Sequence, residues 1–346
     1  MEDNRQYGID VLKILAMFLV VVNHILFWGG FGLDSPEVGI KAFGLKMVDA
    51  VALCAVNVFV LASGWIMSVR KWNWRRIMVL WLTVVWYSLI IAAIAKWLLG
   101  YPVGTRTWLY SVMPVGCNQY WFFTIYVGLF FAMPFLNRLI SALTERECYM
   151  LAGGGFVALA LYPWVQRHDL FIINEGYSLI WFMYLYCVAG IARAHLWDRR
   201  LPKWIGFIIV VCAIAGNAVI PAVHQNISEC LGLKALPGVF TAYTSPMIIA
   251  ESIGLLLIFA RTEIKTSWVR TSLRWIAPSV FSVYIIHSNK VFRSLTHWNE
   301  FWRDHLHGNG FIVDVLVVLG TAALIFAISV LLDQIRARIF KKLYGK

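Results

Sequence analysis

The stretch Asp10-Val11-Leu12-Lys13-Ile14-Leu15-Ala16-Met17-Phe18-Leu19-Val20-Val21-Val22-Asn23-His24 decides how the rest of the chain reads. It is apolar except at four positions. A helix turns about 100° per residue, so the eleven steps from Lys13 to His24 return to within roughly 20° of the starting direction. Asp10, Lys13 and His24 therefore share one face, with the imidazole roughly 16 Å farther along the axis than the ammonium. Ionisable groups at membrane depth are costly unless they are paired or line a wet cavity, which makes them candidates for function. A snorkelling lysine and an interfacial histidine are the plain alternative.

The surrounding composition supports a membrane reading. The chain has 346 residues, 60% hydrophobic and 14% charged, with a mean hydropathy of +0.72. A transmembrane helix needs about 20 apolar residues, and ten segments qualify: 9–28, 46–68, 77–99, 119–139, 149–165, 177–194, 204–222, 240–260, 273–292 and 311–333. The first ends in Phe27-Trp28-Gly29-Gly30 without a small-x-small cleavage site, so it reads as a retained helix rather than a signal peptide. Gly100-Tyr101-Pro102, Leu201-Pro202 and Pro237-Gly238 punctuate the connections. The expectation is an all-α, polytopic bundle of about ten transmembrane helices forming a single domain over 1–346.

Charge sets the orientation. With the N-terminus cytoplasmic, twenty lysines and arginines fall on the inner side and nine on the outer. That asymmetry predicts both termini inside and a multi-pass protein of the cytoplasmic (inner) membrane. Positive inner loops facing anionic lipid account for most of the net charge of +12, so no nucleic-acid partner is expected.

The remaining polar residues sort into two depths. At the inner depth lie Asp10, Lys13 and the connection Arg70-Lys71-Trp72-Asn73-Trp74-Arg75-Arg76. Four cations within seven residues suit phosphate binding, and the tryptophans suit stacking on a base. A positive-inside loop with an aromatic belt reads the same way. At the outer depth lie His24, His287, Gln119-Tyr120-Trp121, Tyr177-Ser178, Tyr243-Thr244-Ser245 and Tyr284. Aromatic faces beside hydrogen-bonding side chains suit a carbohydrate, although an aromatic girdle looks similar. Glu251 falls near the middle of its segment, with Lys13 a conceivable partner. Cys117 and Cys230 lie in outer connections where a disulfide is open. The outer histidines His297, His305 and His307 are too irregular for a metal site, and no metal is expected.

These residues resemble the acyltransferase-3 family of bacterial integral-membrane O-acyltransferases. The family's first helix carries Asp-x-x-Arg/Lys, then ten residues, then His, matched by Asp10, Lys13 and His24. Further similarity runs through Phe59-Val-Leu-Ala-Ser63-Gly64, Arg75-Arg76, Trp121-Phe122…Pro134-Phe135-Leu136, Ser178-Leu-Ile-Trp181-Phe182…Gly190 and Val283-Tyr284-Ile-Ile-His287. The chain looks closest to the stand-alone polysaccharide O-acetyltransferase branch, which acts on glycans such as enterobacterial common antigen. It departs in using Lys13 where arginine is commoner and in reading Ser288-Asn289 where relatives often place an acidic residue.

The resemblance implies acetyl transfer from cytoplasmic acetyl-CoA, a co-substrate with no bound cofactor, to a hydroxyl of a cell-surface glycan or its lipid-linked precursor. On that reading His24 is the general base, aided by Lys13 and Asp10. Lys13, Arg70, Lys71, Arg75 and Arg76 hold CoA, while His287, Gln119, Trp121, Ser178 and Tyr284 meet the acceptor. Membrane lipids surround the bundle, and a homo-oligomer is open. The rival class is a polytopic transporter or flippase for a lipid-linked sugar or small anion, with His24 and Glu251 relaying protons. A reporter fused to the C-terminus is expected to read cytoplasmic; a periplasmic or extracellular signal overturns the two-depth assignment.

Overall fold

The computed structural model describes residues 5–31, 40–166, 169, 171–196, 202–230, 238–307 and 310–344. Among these residues there is helix and no strand, as expected for backbone that must satisfy its own hydrogen bonds in hydrocarbon. The elements are α1 (Tyr7–Gly29), α2 (Ile40–Ala52), α3 (Ala55–Met67), α4 (Arg75–Ala93), α5 (Thr105–Val112), α6 (Trp121–Ala142), α7 (Glu145–Gln166) and α8 (Leu179–Ile191). They continue with α9 (Lys203–Cys230), α10 (Pro246–Ala260), α11 (Ser267–Ile276), α12 (Val280–His287), α13 (Lys290–Leu295), α14 (Trp298–His307) and α15 (Phe311–Tyr344).

All ten expected segments fall on helix, but not all as single rods. Among the described residues seven helices are long and apolar enough to cross a membrane, and two apolar helices are shorter, Leu179–His195 and Pro246–Ala260. The segment expected over 273–292 is broken. It runs through α11, a tight turn over Ala277–Ser279 containing Pro278, and then α12. Proline removes a backbone donor and restricts the residue before it, so a straight helix there is disfavoured. The segment over 46–68 is similarly interrupted by a turn at Leu53 and Cys54, between α2 and α3.

Helix α1 is the axis of the bundle. Its apolar run ends at Gly30, which takes a left-handed conformation (φ 86°) and returns its N–H to the last turn. It packs against α2, α3, α10, α12, α14 and α15, so Ile9, Leu12, Val21, Val22, Ile25 and Leu26 are fully buried. The outer faces of α9 and α15 instead expose Phe207, Ile208, Ile312, Leu316, Leu324 and Leu331. An apolar surface of this extent suits lipid rather than water.

Polar clamps fix the helices that carry the two depths. Asp333 on α15 receives hydrogen bonds from Tyr87 of α4 (3.0 Å), Ser282 of α12 (2.5 Å) and Arg336 (2.6 and 3.0 Å). At the other end of α12, Asn289 caps α13 through Val291 and Phe292 N–H and donates to the Tyr120 hydroxyl at 2.8 Å. Tyr120 in turn reaches the Ile285 carbonyl at 3.2 Å. Asn289 thus serves both as a helix cap and as a clamp.

Close approach also requires glycine. A Cβ on Gly8 would stand 2.0 Å from the Phe259 carbonyl oxygen and 2.6 Å from that of Thr262, so α1 and the end of α10 touch backbone to backbone. Gly8→Ala is expected to destabilise the fold by roughly 1–3 kcal/mol, the usual cost of overpacking. Gly153→Ala, with nothing within 4 Å of its Cβ, is the control. Melting of both variants in detergent decides it, and equal melting temperatures would remove the close-approach argument.

Candidate active site

His24 comes five residues before the end of α1, and the α12 helix brings His287 to it. His24 Nδ1 lies 2.9 Å from His287 Nε2, with ring centroids 5.1 Å apart. His287 is fully buried, and its Nδ1 lies 2.6 Å from the Val283 carbonyl oxygen. A carbonyl only accepts, so the hydrogen-bond pattern assigns the proton to Nδ1 of His287 and leaves Nε2 as acceptor. His24 Nδ1–H then donates to that nitrogen, and the lone pair of His24 resides on Nε2. The Ser288 hydroxyl adds a contact to His287 Nε2 at 3.4 Å. Trp28 packs on His24 with centroids 4.4 Å apart, and the Arg293 guanidinium sits 3.6 Å over the Trp28 ring.

His24 lines a narrow cavity of about 30 Å³. Its walls include Asn23, Phe59, Trp121, Phe122, Tyr243 and Tyr284. Asn23 is held by a 2.8 Å hydrogen bond from its amide to Asp49 of α2. Trp121 stacks with Tyr243 at 6.0 Å and packs on Tyr177 at 4.5 Å. Tyr177 is 42% exposed, which makes this trio a partly open aromatic platform at the mouth of the site.

At the other end of α1 lies a larger cavity of about 940 Å³. Five cations line it: Arg5, Lys13, Arg70, Arg76 and Arg193. Among the described residues Asp10 is the single carboxylate on its wall, and it pairs with Arg5 at 2.6 Å. Arg193 also donates to the Trp65 carbonyl, which fixes the end of α8 against α3. Four positive charges in excess inside one concavity suit a polyanion, and guanidinium forks suit phosphates in particular.

The expected residues divide accordingly. Lys13, Asp10, Arg70 and Arg76 come together at the basic cavity, and His24, Trp121 and Tyr284 at the narrow one, with His287 beside His24. Lys71 and Arg75 are exposed and are not on the wall of the basic cavity. Trp72 packs on Phe130 at 5.4 Å and donates to its carbonyl, so its ring is engaged in packing. Ser178 accepts from the Trp181 N–H at 3.3 Å and caps α8. Gln119 is buried just before α6 and is not on the cavity wall. Glu251 is fully buried between α3 and α10, with the Cys54 thiol rather than Lys13 as its polar neighbour. Cys117 and Cys230 are both free thiols. Of the outer histidines, His297 pairs with Glu300 at 2.9 Å, while the side chains of His305 and His307 lie outside the described residues.

Sequence reading gave Arg193 and Arg5 only a topological role. Their place on the cavity wall depends on helix neighbours, and the one local signal for Arg193 is a cation closing an otherwise apolar segment. Arg293 likewise enters the sequence reading only as one of the nine outer cations, and Asp49 does not enter it.

A helical membrane bundle with a basic cavity at one end of its central helix and a histidine pair at the other defines the class of this protein. A family model described as an acyltransferase domain matches residues 6–333, and the chain belongs to the acyltransferase-3 family. No curated protein and no solved structure matches it.

The cavity wall separates cations that sequence could not tell apart. Arg76→Ala and Arg193→Ala should each weaken the binding of pyrophosphate, a probe of phosphate recognition, by roughly 1.5–3 kcal/mol, the cost of a lost charge-assisted hydrogen bond. Arg75→Ala should leave binding unchanged. Calorimetry on the purified protein measures all three; an Arg75 variant as weak as the other two would show that charge alone, not position, matters.

Proposed function

We propose that this acyltransferase transfers acetyl from cytoplasmic acetyl-CoA to a hydroxyl of a cell-surface glycan or its lipid-linked precursor. It would sit in the cytoplasmic membrane with ten spans and both termini inside. The observation that carries the reading is that both cavities open on one stripe of α1: Asp10 and Lys13 face the basic one, and His24 faces the narrow one. Lys13 and His24 stand roughly 16 Å apart along the helix axis, a distance suited to the pantetheine arm joining CoA phosphates to their thioester.

In this mechanism the basic cavity holds the phosphates from the inner side, and the thioester carbonyl lies beside His24. Nε2 of His24 takes the proton of the acceptor hydroxyl as its oxygen attacks that carbonyl. The tetrahedral intermediate collapses, the thioester C–S bond breaks, and the ester C–O bond remains. The CoA thiolate leaves and recovers the proton from His24. His287 fixes the His24 tautomer through the Nδ1–H bond and spreads the positive charge that develops on the ring, which is the work of an orienting partner. The Trp121, Tyr177 and Tyr243 rings offer apolar faces against which a sugar packs at the mouth of the site. Phosphate-bearing donor and hydroxyl-bearing acceptor thus approach from opposite ends and meet at one imidazole.

His24→Ala should retain the fold and acetyl-CoA binding, because the phosphates are held at the other end of α1. Its turnover should fall by roughly 10²–10⁴, the usual contribution of general acid–base catalysis. Native activity should also decline as pH drops into the range where imidazole protonates, since the charged ring has no lone pair to accept the hydroxyl proton. The measurement is transfer of labelled acetyl from acetyl-CoA into the polysaccharide and glycolipid fractions of membranes carrying the protein. A folded His24→Ala protein that transfers label at near-native rate overturns this mechanism.

A further inference from the structure

The two cavities are consecutive chambers on the same three helix faces. On α1 the cavity-lining residues Asp10, Lys13, Met17, Val20 and His24 step by three and four, which is one stripe. On α3, Phe59 lines the histidine chamber and Ser63, one turn on, lines the basic chamber. On α6, Phe122 and Tyr126 divide in the same way. One helical turn of about 5.4 Å therefore separates the chambers, and at that level α1 presents Met17 while α3 and α6 present the Phe59 and Phe122 rings.

Phe59 meets Phe122 edge to face, with centroids 5.8 Å apart. Phe122 is itself wedged among Tyr126 (6.1 Å), Phe182 (5.3 Å) and Tyr284 (5.9 Å). Rings locked on several sides yield poorly to an added atom, because packed interiors have little free volume. The histidine chamber measures about 30 Å³, room for about two water-sized groups, which is the bulk of a methyl and a carbonyl oxygen.

Resting on the acyl-transfer reading above, we infer that Phe59 and Phe122 form the wall of the acyl chamber across from the α1 stripe of Met17, Val20 and His24, along which the thioester arm enters, and restrict the donor to the shortest acyl groups. Acetyl fits beside His24 without displacing a ring. Each further methylene has to move Phe59 or Phe122 out of its contacts. Phe59 is the adjustable member, because it is half-buried while Phe122 is buried.

The test compares kcat/KM for acetyl-, propionyl- and butyryl-CoA, using labelled acyl transfer into the polysaccharide and glycolipid fractions of membranes. The native protein should lose roughly ten-fold or more for each added methylene. Phe59→Ala, and the milder Phe59→Leu if the alanine variant folds poorly, should raise the butyryl-to-acetyl ratio by roughly ten-fold or more. The ratio is taken within one preparation, so it does not depend on how much of a variant is folded. Native transfer of butyryl as readily as acetyl overturns the inference, as does a native ratio in active Phe59 variants; both leave the acyltransferase reading standing. Native protein that transfers none of the three groups overturns that reading and the inference with it.

Discussion

The hydrogen bond between His24 and His287 is the constraint on which the site depends. Two imidazoles within 2.9 Å must agree on a proton between them, and the Val283 carbonyl settles the matter by accepting from one side only. A backbone carbonyl four residues back on the same helix cannot drift relative to His287, so the direction of the pair is built into α12. The helix itself is pinned at both ends, through Ser282 to Asp333 and through Asn289 and Ile285 to Tyr120. Buried polar networks of this kind are costly when incomplete and rigid when complete. Their position at either end of an eight-residue helix is consistent with a need to aim one ring.

The same constraint explains why α1 is central. A helix bearing Asp10, Lys13, Asn23 and His24 is a poor choice to face lipid, and burial among α2, α3, α10, α12, α14 and α15 supplies each of these groups with a polar neighbour or a cavity. The apolar faces of α9 and α15 carry the lipid-exposed surface instead. The core helix is therefore less uniformly apolar than the helices around it, the reverse of the pattern in a water-soluble bundle.

Much of this was legible in the chain because periodicity along one helix needs no knowledge of its neighbours. The shared face of Asp10, Lys13 and His24 follows from residue spacing, and the helical class follows from long apolar runs. What the chain could not show is adjacency. Arg75 and Arg76 are consecutive and alike, yet a turn of 100° per residue puts Arg76 on the cavity wall and Arg75 on the surface. Arg193 reaches that wall from a helix more than a hundred residues away. Ser178 and Trp72 carried plausible functional chemistry and are engaged in a helix cap and a packing contact. A polar side chain near a helix end has two employers, the backbone and the ligand, and only the fold says which holds it.

The departure at Lys13 is intelligible in the same terms. An arginine there would bring a planar fork suited to bidentate phosphate contacts, whereas a lysine brings a compact charge on a flexible stem. The basic cavity already has four guanidiniums, from Arg5, Arg70, Arg76 and Arg193. One of them, Arg5, is partly committed to Asp10, and Arg193 is partly committed to the Trp65 carbonyl. Arg70 and Arg76 are then the forks with the most freedom to meet a phosphate, both near the loop that joins α3 to α4. Lys13 stands deeper, on the stripe that leads from Asp10 towards Met17 and His24. In the proposed reaction a point charge at that depth would attract the anionic donor without fixing the angle at which it enters, which suits a position that a moving arm must pass rather than a position where a phosphate comes to rest.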